Sequence, residues 1–249
     1  MKKTILELLR NTKEYISGQE ISNQLGISRT AVWKNIQSLQ NEGYRVEAVR
    51  NKGYHLLETP NDVTFAEVSH ALSTKWIGHE LYCYDKIDST NLQIKRLAEE
   101  GKEEGTLAIA DCQESGRGRR GRSWASPSGD GLWMSLLLRP KFSIDKASMI
   151  TLLVAMAVQR GIQNATGLQT QIKWPNDIVY EGRKVCGILT EMTIEESHIN
   201  YVVVGIGVNV NTESFPDELK EKAISLKMIL NRDIKRADLA NEIWLAFEQ

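Results

Sequence analysis

Long apolar runs are missing from this 249-residue chain. The longest, residues 149–158, has ten residues and is broken by Thr151. A helix that short cannot cross a bilayer core of about 30 Å. Glu7 and Glu14 interrupt the start of the chain, and no small-residue cleavage site follows, so no signal peptide is expected. Cysteine is scarce. Cys83, Cys112 and Cys186 are odd in number, far apart, and form neither a CxxC pair nor a group with His at metal-ligand spacing. A disulfide scaffold is excluded, no metal site is legible, and reduced thiols of a cytoplasmic protein are expected. Glycine and proline together make 23 residues, too few for a flexible or collagen-like polymer. Charge of one sign is also lacking, since the net value is −1. It is unevenly spread: residues 1–58 carry nine Lys and Arg against six Glu, and the rest carries 22 basic against 26 acidic residues. The mildly basic front hints at an anionic partner. What remains is ordinary globular composition, 41% apolar and 25% charged.

Residues 58–64 (ETPNDVT) have no apolar period and read as a connector between two folding units. Before it, Ile5, Leu6, Leu9 and Ile16 fall near a 3.6-residue period. Ser17 followed by Glu20 has capping-box spacing for a helix carrying Ile21 and Leu25 and stopped by Gly26. Ser28 caps a helix over 29–41 with Val32, Ile36 and Leu39 inward, closed by Gly43. Strands over 44–49 and 53–57 flank a basic tip, Arg50-Asn51-Lys52. After the connector, helices are expected at 65–72, 91–100 and 144–165, and strands at 81–87, 106–111, 132–138, 171–174, 184–193 and 199–210. The tail, 219–248, reads as helical. Strands in pairs with grouped helices argue for an α+β fold rather than strict βαβ winding.

The front fits a helix-turn-helix frame. Gly18 opens it, and Ser22, Gly26 and Val32 supply the small, turn and β-branched positions that a close helix crossing requires. Ser28 caps the second helix, which presents Arg29, Thr30, Trp33, Lys34 and Gln37, groups able to reach base edges and phosphates. The basic tip would serve as a wing on the backbone. A plain helix pair with a solvated face accounts for the period but not for the frame, wing and charge together. One weakly charged module binds DNA weakly, so a dimer across two half-sites is expected.

Gly116-Arg-Gly-Arg-Arg-Gly-Arg122 packs four cations and three glycines into seven residues. The cations repel one another and the glycines loosen the backbone, costs that a ligand with several anionic oxygens would relieve. It is not GxxxxGK[ST], and it does not open a helix as GxGxxG would. A solvated tract binding nucleic acid without specificity explains it equally well. Lys173-Trp-Pro-Asn-Asp177 and Gly182-Arg-Lys184 bring Lys173, Asp177 and Lys184 toward one hairpin mouth. They could hold a phosphate or its metal, or simply make a good turn. The glycines of Gly205-Ile-Gly-Val-Asn209 suit either a bend or a close approach to a ligand. Trp124 and Trp133 suit the core, or for Trp124 a flat ligand beside the arginine loop.

These motifs run in a fixed order: Ser89-Thr90-Asn91, Gln113 with the arginine loop, Lys173-Trp-Pro-Asn-Asp177, Gly182-Arg-Lys-Val-Cys-Gly187 and Gly205-Ile-Gly-Val-Asn209. With the helix-turn-helix, the chain resembles the bacterial biotin–protein ligases that double as biotin operon repressors, over nearly its full length. The resemblance implies that biotin and ATP form biotinyl-5′-AMP and pyrophosphate. The biotinyl group then passes to a lysine of the biotin carboxyl carrier protein of a biotin-dependent carboxylase. It implies biotin contacts from Ser89, Thr90, Asn91, Gln113, Arg117, Gly118, Arg119 and Lys184, and catalytic roles for Lys173 and Arg119. It implies nucleotide contacts from Arg120, Arg122, Trp124, Asn176, Asp177 and Asn209, with Mg²⁺ entering as MgATP. Operator DNA and a ligand-promoted homodimer are the further partners implied. The implied fold is α+β, a winged helix-turn-helix followed by a mixed-sheet catalytic domain, with boundaries expected at 1–60 and 65–249. Family members usually continue into a small SH3-like barrel, which is expected to be absent because the sequence stops at Gln249 in a predicted helix. A biotin-sensing regulator with a poorly active ligase domain is the competing expectation. The chemistry agrees with the resemblance: a carboxylate attacking a phosphate needs positive charge at the developing oxyanion and shelter for a labile anhydride.

Overall fold

A computed structural model describes residues 1–195 and 198–249. It divides into two compact units, Met1–Pro60 and Asn61–Gln249. The expected connector therefore splits, with 61–64 belonging to the second unit.

In the first unit, α1 (Lys2–Asn11), α2 (Gly18–Leu25) and α3 (Arg29–Asn41) precede a hairpin of β1 (Arg45–Val49) and β2 (Gly53–Glu58). Ser17 and Ser28 cap α2 and α3 by accepting from the backbone N–H of Glu20 and Ala31. Each thereby satisfies one orphan donor of a helix start. Gly26 ends α2 in the left-handed region at φ 64°, where a side chain would be strained. Ile5, Leu6, Leu9, Ile21, Val32, Ile36 and Leu39 fill the core. Ile16 does not continue α1 as its period suggested. It is extended and exchanges backbone hydrogen bonds with Tyr54 at 3.0 and 2.9 Å, because the ladder of β2 offers its backbone partners that α1, ended at Asn11, does not.

The second unit holds α4 (Phe65–Ala71), β3 (Leu81–Ile87), α5 (Thr90–Glu99), β4 (Leu107–Gln113), β5 (Gly131–Leu138) and α6 (Ala147–Thr166). Four more strands follow: β6 (Gln171–Lys173), β7 (Asp177–Tyr180), β8 (Arg183–Glu195) and β9 (His198–Asn209). Seven strands form one sheet in the order β3-β4-β5-β9-β8-β7-β6. Among the described strands only β3 and β4 pair in parallel, with α5 as their crossover; the remaining described pairs are antiparallel. The sheet is thus mixed, with one βαβ unit inside an α+β fold. The tail is three helices, α7 (Asp217–Lys220), α8 (Leu226–Leu230) and α9 (Arg236–Phe247), rather than one continuous stretch. Asn231 ends α8 at φ 51°. Strand β7 was not anticipated, because four residues give too little period to read.

Period-two alternation assigns the two faces of the sheet. Leu132, Met134, Leu136, Val202, Val204, Ile206 and Val208 join α6 and α9 in the main core. Leu137, Tyr201 and Val203 turn the other way, against Ile94 and Leu97 of α5. No helix among the described residues is long and apolar enough to cross a membrane.

Candidate active site

The cleft lies on the α5 side of the sheet, where β8 and β9 carry glycine. A Cβ on Gly205 would stand 2.0 Å from Asn91 Oδ1, and one on Gly207 2.7 Å from Trp124 Nε1. Both glycines therefore let side chains lie flat on the strands. The resulting space is bordered by the amino-terminal end of α5, residues 117–119, Trp124 and Asn176.

All eight residues expected at biotin border this one cleft: Ser89, Thr90, Asn91, Gln113, Arg117, Gly118, Arg119 and Lys184. Thr90, Asn91 and Gln113 are knitted together through Ser135. Thr90 donates its backbone N–H to Gln113 Oε1 at 2.9 Å, and Gln113 Nε2 donates to Ser126 Oγ at 2.8 Å. Asn91 Nδ2 donates to Glu191 Oε2 at 2.8 Å, and Ser135 Oγ donates to Asn91 Oδ1 at 2.6 Å. Glu191 also pairs with Lys95 at 2.7 Å and lies 3.7 Å from Arg117. Burial works to raise the Glu191 carboxyl, but hydrogen bonds from Asn91 and Lys95 and the charges of Lys95 and Arg117 outweigh it. They hold it below its usual range. Neither Ser135 nor Glu191 stands out in the sequence, where each is one polar residue in a strand.

A bulge aims Lys184. The β7–β8 register pairs Ile178 with Cys186 but Val179 with Lys184, so Val185 is skipped. Lys184 thereby shares a face with Gly187, on which a Cβ would be 3.0 Å from its Nζ. Its ammonium pairs with Asp177 at 2.7 Å and sits 5.0 Å from the centre of the Trp124 ring, a cation–π contact. Trp124 is a wall of the cleft, and Trp133 is core.

The arginine loop is a tight hairpin. Trp124 donates its backbone N–H to Gly116 O at 2.8 Å, and Gly118 donates to Arg122 O at 2.7 Å. A Cβ on Gly116 would lie 2.3 Å from Trp124 O, so only glycine fits. Arg119 reaches across to Asn176 Oδ1 at 3.0 Å, tying the hairpin to the β6–β7 turn. Arg120 and Arg122 are exposed and do not border the cleft. Lys173 is exposed at the end of β6, opposite Asp177 in the ladder and outside the cleft wall. Asn209 is buried and donates to Lys184 O at 3.2 Å and Ile224 O at 3.5 Å, joining β9 to the tail. Burial pushes the Cys83 thiol up to about 12 and raises Cys186 as well, so neither offers a thiolate at neutral pH.

The nine front residues divide in two. Gly18, Ser22, Gly26 and Ser28 shape the frame; a Cβ on Gly18 would touch Tyr54 at 3.3 Å. Arg29, Thr30, Trp33, Lys34 and Gln37 are exposed along one side of α3, and Trp33 keeps 53% of its surface.

Family models match both units: the biotin/lipoate A/B protein ligase family over residues 83–209 and an HTH domain over residues 2–55. The chain is 48% identical over 252 residues to the bifunctional ligase/repressor BirA of Bacillus subtilis (strain 168), covering 100% of this chain and 78% of that one. It is 31% identical to the bifunctional ligase/repressor BirA of Escherichia coli (strain K12), covering 98% of this chain and 75% of that one. Among solved structures, the biotin protein ligase from Aquifex aeolicus in complex with biotin and ATP is 33% identical, with a TM-score of 0.59, and covers 68% of this chain and 69% of that one. The chain belongs to the biotin/lipoate A/B protein ligase family, among its bifunctional ligase/repressors.

Proposed function

We propose that this protein joins biotin to ATP as biotinyl-5′-AMP and passes the biotinyl group to a lysine of a biotin carboxyl carrier protein. With the adenylate bound, it represses biotin synthesis genes through the helix-turn-helix. The observation that carries this reading is the convergence of eight expected biotin contacts on one cleft, roofed by an arginine hairpin.

The chemistry follows from charge. A biotin carboxylate oxygen attacks the α-phosphorus, an acyl–phosphate bond forms, and pyrophosphate leaves. Two anions approach, so the site must offer cations where oxygen charge grows. Arg119 and Lys184 border the cleft, and Lys173, Arg120 and Arg122 lie in the segments that flank it. We assign Lys173 and Arg119 to the reacting phosphate, and Arg120, Arg122, Trp124, Asn176 and Asp177 to the nucleotide. Asn209 acts on it only through the backbone of Lys184. Among the described residues no cluster of three or more His, Cys, Asp or Glu could hold a metal ion. Mg²⁺ would enter on the phosphates of ATP, where Asp177 would be the neighbouring carboxylate. The carrier amine then attacks the acyl carbon, an amide forms, and AMP leaves.

Biotin-dependent exchange of pyrophosphate into ATP, followed by a mass increase on carrier protein, tests the reading. Both should appear with biotin and ATP present and vanish when either is left out. Biotin binding without exchange or transfer would overturn the ligase and leave a biotin-sensing regulator.

A further inference from the structure

The hydrogen bonds under the cleft run in one direction only. Glu191 accepts from Asn91 Nδ2 at 2.8 Å and from Lys95 Nζ at 2.7 Å, with Arg117 3.7 Å away. A carboxylate has no proton to give, so the amide nitrogen of Asn91 must face it. The amide oxygen then faces Ser135 Oγ at 2.6 Å. That oxygen can only accept, which commits the single Ser135 proton. Ser135 Oγ also lies 2.7 Å from Thr90 Oγ1. Two hydroxyl oxygens that close need a proton between them, and only the one on Thr90 is left. Gln113 Oε1, 3.1 Å from Thr90 Oγ1, already accepts the Thr90 backbone N–H at 2.9 Å, so the shorter contact to Ser135 takes the hydroxyl proton. Thr90, a residue of the cleft lining, then has its hydroxyl proton turned inward and its remaining lone pairs as acceptors. The bare Cα of Gly205 admits the Asn91 amide beneath this thread.

We propose that Glu191 is a positioning residue that fixes the direction of the Thr90–Ser135–Asn91 thread, so that the cleft meets its ligand with an acceptor at Thr90. The cleft then favours a ring that carries N–H donors, as the cyclic urea of biotin does. This rests on the ligase reading above. A glutamine at 191 could donate as well as accept, so the Asn91 amide could turn over, the Ser135 proton would be released, and Thr90 could present a donor instead. The thread lies on the strands, and only its anchor Glu191 nears the arginine hairpin, 3.7 Å from Arg117, so losing the thread should weaken binding more than turnover.

Pyrophosphate exchange measured against biotin concentration separates these effects in wild type, E191Q, S135A, the double variant and K95M. Losing the thread should raise KM for biotin about ten-fold in E191Q and in S135A, with kcat within about two-fold of wild type. The double variant should resemble either single one, because both break one thread. K95M removes a charge from the same carboxylate but leaves the thread whole, and should keep the wild-type KM. An unchanged KM in a folded E191Q or S135A overturns the proposal. So does a K95M defect equal to that of E191Q, or E191Q and S135A effects that multiply. If E191Q does not fold, S135A alone decides. Wild type without biotin-dependent exchange would sink the ligase reading instead.

Discussion

Arg236 shows how one buried side chain can tie together segments distant in sequence. It is 1% exposed, yet its guanidinium donates to Asp111 at 2.6 Å, to Gly131 O at 3.1 Å and to Asn61 O at 2.7 and 3.0 Å. One residue thus ties α9, the end of β4 and the first residue of the second unit. Burial pushes the Asp111 carboxyl up, but hydrogen bonds from Ser128, Arg236 and Gly129 and the Arg236 charge outweigh it, so it sits below its ordinary 3.8. Replacing Arg236 with Met strands a half-buried carboxylate. Urea unfolding should show a loss of about 3 kcal/mol, the low end for breaking a buried pair because Asp111 keeps some solvent. A depressed carboxyl stabilises the fold above its unfolded value and ceases to as pH falls through the lower folded value. The urea midpoint of wild type should therefore fall below about pH 4. That slope should flatten in R236M; an equally steep one would separate Asp111 from the arginine.

Helix α3 has two kinds of polar residue, and the element's geometry tells them apart. Ser28 completes the helix, whereas Arg29 and Trp33, four apart, share one exposed side. Ser28→Ala should cost about 1 kcal/mol of stability, seen as a lower Tm. The R29A/W33A pair should leave Tm in place and abolish operator binding in a mobility-shift titration. Operator binding equal to wild type would mean that another surface reads DNA. Strand β8 works as an element too. Its skipped residue at Val185 turns Lys184 into the cleft while Cys186 and Ile188 stay in the core. Sequence alternation alone would have assigned Lys184 to the core face with Cys186, because register slips leave no mark in composition.

For the whole molecule, we expect ligand and assembly to be linked. A ligand that favours one arrangement of the surface around the arginine hairpin shifts any association equilibrium that uses that surface. Sedimentation should show a tighter monomer–dimer equilibrium with biotinyl-5′-AMP than without it. An unchanged equilibrium would separate repression from dimer formation. A single helix-turn-helix of modest charge gains affinity chiefly by pairing half-sites, which is why this equilibrium matters for the operator.

The sequence by itself determined what neighbours along the chain can decide. Ser17, Ser28 and Gly26 bound their helices through atoms within a few residues, and the composition of Gly116 to Arg122 marked a loop dense in cations and glycine. The motif order also announced which residues would meet, since Ser89, Gln113 and Lys184 do border one cleft. Tertiary structure decided everything that depends on register and on contacts distant in sequence. It paired Asn91 with Glu191, 100 positions on, skipped Val185, turned Asn209 onto the backbone carbonyls of Lys184 and Ile224 and left Lys173 outside the cleft wall. A one-residue slip in a ladder turns every following side chain to the other face, and the energy that fixes the slip comes from strands the local sequence does not contain.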